Sequence, residues 1–81
     1  MTESQKLLAT YVANRSEEAF RDLVQSYVDL VYSTAFRLVD GDAHLAEDIT
    51  QAVFLNLARK ASLLSPDTAL GGWLHRDTCY K

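Results

Sequence analysis

Residues 16–38, SEEAFRDLVQSYVDLVYSTAFRL, decide the fold. Phe20, Leu23, Val24, Tyr27, Val28, Val31, Ala35 and Leu38 recur there at helical spacing. Arg21, Asp22, Gln25, Ser26, Asp29, Ser33 and Arg37 fall away from that stripe. A one-sided apolar arc on a long helix needs other elements to cover it. Ser16 supplies an N-cap, and Glu17 and Glu18 place negative charge in the first turn, where the backbone dipole favours it. Gly41 is expected to end the helix as a C-terminal cap.

Working outward, the other segments also read as helices. Thr2 with Gln5 three residues on forms a capping box for a first helix, whose apolar stripe is Leu7, Leu8, Tyr11 and Val12. Asn14-Arg15 breaks it. Asp42 caps a third helix that runs to about Ala61. Ser62 to Asp67 then forms a loop, because Pro66 forbids helix continuation. Asp67 or Thr68 starts a fourth helix. Gly71-Gly72 weakens that helix by up to about 1 kcal/mol per glycine relative to alanine, so it is expected to be short or bent. No β-alternation occurs. The expected fold is all-α, a small bundle of three to four helices forming one domain over residues 1–81.

Length and charge narrow the function. A chain of 81 residues lies near the lower end of what folds alone without staples. Its one cysteine, Cys79, cannot form an internal disulfide, which suits a reducing, cytoplasmic location. Residues 1–6 lack a basic-then-apolar signal pattern. The longest apolar run is Ala52-Val53-Phe54-Leu55, whereas a membrane helix needs roughly 20 apolar residues. The net charge of −3 is unevenly spread. Residues 1–58 carry four basic side chains against nine acidic ones; residues 59–81 carry four against two. Duplex DNA binders carry a strong basic footprint, so any nucleic-acid contact belongs to the C-terminal quarter.

The third helix holds an anomaly. At about 100° per residue, Ala46, Ile49, Val53 and Leu57 share one side as a core stripe. His44, Glu47, Asp48, Gln51, Leu55 and Ala58 share the opposite side, with Phe54 flanking it. Leu55 is out of place on this otherwise polar face. One reading is an ordinary surface leucine on a helix with a wide buried arc. The other is a docking face, an apolar anchor ringed by carboxylates and an amide.

Ala46 to Leu55, AEDITQAVFL, resembles the AEDLTQEVFL segment of extracytoplasmic-function sigma factors. Upstream, Ala19-Phe20-Arg21-Asp22-Leu23-Val24, Tyr27, Leu30-Val31-Tyr32 and Ala35 are similar to that family's preceding helix. Downstream, Gly72-Trp73-Leu74-His75-Arg76 resembles its tryptophan-leucine signature. The resemblance covers about residues 17 to 80, with three motifs in the right order and spacing. It implies a sigma-70 region 2-like domain that docks on the coiled coil of the β′ subunit of RNA polymerase. The adjoining segment would take part in recognising and melting the minus-ten promoter element by capturing its non-template strand. An anti-sigma factor is a further partner to expect. Matched by position, Glu47, Asp48, Gln51, Phe54 and Leu55 fall in the polymerase-binding segment. Ala52 departs from the family, which often has Glu there, so one charged contact is expected to be missing.

On the DNA side the resemblance and the basic balance point to Arg59, Lys60, Trp73, His75, Arg76, Tyr80 and Lys81. Asp77, Thr78 and Tyr80 depart from the family's Ile, Ala and Asn. Trp73 is either a core plug or a base-stacking platform. Arg76 either contacts phosphate or pairs with a carboxylate. His75 and Cys79 share a helical face, but two ligands are too few for a metal site. No metal or cofactor is expected. There is no Ser/His/Asp set, phosphate loop or paired carboxylate for catalysis, so the chain is read as a binding domain, and the polymerase supplies the chemistry. The family continues its motif helix past Lys81 and adds a second helical domain, so a domain truncated at its C-terminus is expected. A helical protein-interaction module with no DNA role is the alternative.

Overall fold

Helix α2 (Glu17–Leu38) is the spine of the fold, and α1 (Glu3–Asn14), α3 (Ala43–Lys60) and α4 (Leu70–Cys79) all pack on it. A 3-10 turn at Ala61–Leu63 closes the C-terminal end of α3. The computed structural model describes residues 1–80, and no strand occurs among them. The long dimension of the molecule is 37 Å. The spine accounts for most of it, since 22 residues at 1.5 Å each span about 33 Å.

The first three helix starts follow their caps. The Thr2 hydroxyl accepts from the Gln5 backbone N–H at 3.2 Å, and the Gln5 side chain accepts from the Thr2 N–H at 2.9 Å. Ser16 accepts from Ala19 N–H, and Asp42 from Leu45 N–H. Each cap satisfies a donor that the helix cannot reach, contributing about 1 kcal/mol.

Two boundaries differ from expectation. Gly41 is not the residue that turns the chain out of α2. Asp40 already has φ +54°, and Gly41 follows at φ +82°. The Gly41 N–H donates to the Phe36 carbonyl at 2.9 Å, and the Asp40 N–H to that of Arg37. This is the paired bonding of a Schellman end, with an aspartate in the left-handed position it tolerates better than most residues. The second difference is at α4, which starts at Leu70 rather than at Asp67 or Thr68. Ser65 holds those residues in a turn: its hydroxyl accepts from Asp67 N–H and its carbonyl from Thr68 N–H.

The core lies where the four helices meet. Leu8, Leu23, Val31, Val53, Phe54, Leu57, Ala61, Leu70 and Leu74 are buried together. Phe20, Tyr27 and Ile49, expected inside, are half-buried and pack against this cluster. Leu38, at the end of the expected stripe, is 51% exposed. The last buried residues of α2 are Thr34 and Ala35, so the stripe is covered only that far. Thr34, Thr50 and Thr78 are buried polar residues. Each hydroxyl donates to the carbonyl four residues back, so none is buried unsatisfied. No helix among the described residues is long and apolar enough to cross a membrane.

Candidate functional site

Five of the six residues expected on the outer face of α3 are exposed, while Ala58 is half-buried in the groove. His44, Glu47, Asp48, Gln51 and Leu55 are exposed, and Ala46, Val53 and Leu57 are buried beneath them. Leu55 is 61% exposed. It borders a groove of about 400 Å³ between α2 and α3, lined by Phe20, Val24, Val28, Thr50, Gln51, Phe54, Leu55 and Ala58. A volume of about 300 Å³ or more is enough to receive a sizeable apolar group.

Phe54 does not flank the outer face as expected. It is 7% exposed and belongs to the core. Its position explains this: one turn back lies Thr50 and one turn on lies Leu57, both buried. Phe54 therefore lines the groove from the core side, while Leu55 stands at its open edge. Sequence reasoning assigns Phe20, Val24 and Val28 to the core stripe alone. Their half-burial is the signal that one flank of that stripe stays uncovered.

Glu47 and Asp48 stand one to two turns toward the start of α3 from Gln51 and Leu55. The groove is therefore apolar inside and acidic at one end. A carboxylate beside an apolar cleft favours a partner that brings both a hydrophobic side chain and a cation.

The basic C-terminal quarter splits into separate places. Trp73, Arg76, Asp77 and Tyr80 share one face of α4, and Lys60 meets them from the end of α3 around a pocket of about 110 Å³. Asn56 donates to Asp77 at 3.0 Å, tying the two helices together beside it. Trp73 is half-buried and packs on the core, so it serves as a plug while one part of it still lines the pocket. Tyr80 is exposed. His75 lies on a different face of α4, where its Nε2 is 3.7 Å from Cys79 Sγ. No group of three or more metal-ligating side chains occurs among the described residues. Arg59 lines a different cleft, against the end of α1. Lys81 lies outside the described residues.

Residues 23–77 match the model of the family described as Sigma-70 region 2. The chain belongs to the Sigma-70 region 2 family. The matched span runs from α2 through α4 and contains most of the groove lining and most of the Lys60–Trp73 pocket. This region 2 domain is 44% identical over 57 residues to the ECF RNA polymerase sigma factor SigE of Mycolicibacterium smegmatis, covering 70% of this chain and 21% of that protein. It is 31% identical over 65 residues to the ECF RNA polymerase sigma factor SigW of Bacillus subtilis, covering 80% of this chain and 34% of that protein. The chain thus spans about a fifth to a third of these relatives. No solved structure matches it. The family match and these relatives identify an all-α region 2 domain of the extracytoplasmic-function type.

Proposed function

We propose that this region 2 domain serves transcription initiation by binding and orientation alone. Its α2–α3 groove docks a helix of the β′ coiled coil of RNA polymerase. Leu55 at the groove edge is the observation that carries this reading: a large apolar side chain left in water beside an apolar cleft, with Gln51 one turn away and the exposed carboxylates of Glu47 and Asp48 about two turns along the same helix. Docking a helix over Leu55 removes it from water, and the carboxylates select a partner carrying basic residues. The pocket of Lys60, Trp73, Arg76 and Tyr80 supports contact with the melted non-template strand. Its cations suit phosphate and its rings suit an unstacked base.

The test is the pair Gln51→Ala with Leu55→Glu, both on the exposed face of α3. The double variant should retain helicity and lose affinity for the isolated β′ coiled coil by at least about 2 kcal/mol, the cost of removing a central anchor. Unchanged affinity in a folded double variant removes the docking claim. Failure of the wild-type domain to bind core polymerase at all would favour the protein-interaction module instead.

A further inference from the structure

Arg15 and Arg59 lie 44 positions apart in the chain, yet they line one cleft of about 140 Å³. Tyr11 and Ser62 line it as well, and no carboxylate does. Both guanidiniums belong to exposed residues, and neither enters an ion pair among the described residues. Two cationic side chains that line one cleft without a carboxylate make it a place that favours an anion.

A cation at a helix C-terminus is ordinarily explained by the backbone dipole, and Arg15 ends α1 while Arg59 is in the last turn of α3. That explanation accounts for a positive charge at each end. The left-handed φ of +52° at Arg15 is that of an ordinary helix C-cap, here ending α1. Glycine fills that position at no steric cost, and a long side chain is disfavoured there. The chain nonetheless places an arginine there, lining the same cleft as Arg59.

We propose that Arg15 and Arg59 form a second phosphate seat for single-stranded nucleic acid, in addition to the Lys60–Arg76 pocket. The proposal rests on the strand-binding role proposed above. Arg59 and Lys60 are consecutive and therefore project about 100° apart around the end of α3. A strand seated at Lys60 and Arg76 crosses the end of α3 and places a following phosphodiester between Arg59 and Arg15. Planar guanidiniums suit this task, because each presents paired N–H donors to phosphate oxygens.

Fluorescence anisotropy with a labelled single-stranded DNA oligonucleotide, titrated at several salt concentrations, tests the seat. Removing one phosphate-binding cation lowers the slope of log affinity against log salt by about 0.7 for a single strand. Arg15→Gly is the decisive variant, because glycine relieves the left-handed strain and so keeps the fold while removing the charge. It should reduce the slope by that amount, so that the advantage of wild type over variant shrinks about fivefold between about 20 and about 200 mM salt. Arg59→Gln should do the same, and Arg15→Lys should restore most of the slope. Arg21→Gln, an equal change of charge on exposed α2, should leave the slope at the wild-type value. If Arg15→Gly and Arg59→Gln match Arg21→Gln, the second seat does not exist, while the Lys60–Arg76 reading stands. If wild type fails to bind the strand even at low salt, both readings fall.

Discussion

The Ser4 hydroxyl and the Tyr27 phenol are 2.7 Å apart, a hydrogen bond between the first turn of α1 and the middle of α2. The same Tyr27 ring touches α4, where a Cβ added at Gly71 would sit 3.7 Å from it. Next to Ser4, the Gln5 side-chain amide donates to the Thr68 carbonyl at 3.1 Å. The start of α1 thus fixes the spine and the loop that leads into α4. Removing only the phenol oxygen, as in Tyr27→Phe, should lower stability by about 0.5–1.5 kcal/mol while preserving the ring packing. Urea denaturation measures this. A change near zero would show that Ser4 is equally well served by water.

Two adjacent residues of α3 should respond in opposite ways. Phe54→Ala empties the floor of the groove and should cost about 3–5 kcal/mol. Leu55→Glu alters an exposed position and should stay within about 0.5 kcal/mol of wild type. Thermal melts of the two single variants separate buried from exposed without reference to any partner. A large loss for Leu55→Glu would mean that its side chain supports the fold rather than awaiting a helix.

The glycines of α4 offer a stabilising change. The helix has no side-chain cap at Ala69, and Gly71 and Gly72 lie in its first turn. A methyl group at Gly71 meets Tyr27 at ordinary contact distance, and one at Gly72 meets nothing within 4 Å. Each substitution to alanine should therefore raise stability by up to about 1 kcal/mol. Gly41→Ala should lower it, because φ is +82° there. Denaturant midpoints of the three variants check the sign at each site.

The contrast between α2 and α4 explains what is legible before the fold is known. Leu23 and Val31 sit in a long stripe with a cap at Ser16, so local and long-range signals agree. The caps at Thr2 and Asp42 mark the starts of α1 and α3 in the same way. In α4 the signals conflict: Gly71-Gly72 weakens the helical signal and leaves its start undecided, and the fully buried Leu74 and Thr78 gain their burial from α2 and α3, which are distant in sequence. Phe54 is misplaced by periodicity because a step of about 100° leaves a flanking residue undecided between core and surface until the neighbouring helix is known. Leu55 is legible because it stands alone among polar neighbours. That Arg15 and Arg59 line one cleft carries no sequence signal, since only the fold brings the two helix ends together.

The last expectation concerns strand recognition. The pocket bounded by Lys60, Trp73, Arg76 and Tyr80 measures about 110 Å³, well below the roughly 300 Å³ at which enclosed ligand sites begin. Trp73 is committed in part to the core, and Tyr80 stands open to water. Such a surface can stack on a base and attract phosphate, but every base has a flat face and every nucleotide a phosphate. Reading a sequence requires contacts to base edges, and His75, the remaining polar ring on α4, faces elsewhere with Cys79. The 81-residue chain should therefore bind single-stranded promoter DNA weakly, lose affinity as salt rises, and show no preference between a minus-ten strand and a scrambled one. A fluorescence titration with both strands at low and moderate salt measures this. A clear preference for the minus-ten strand would mean that Trp73, Arg76 and Tyr80 close around a base on binding and form an enclosed pocket that the free domain does not have.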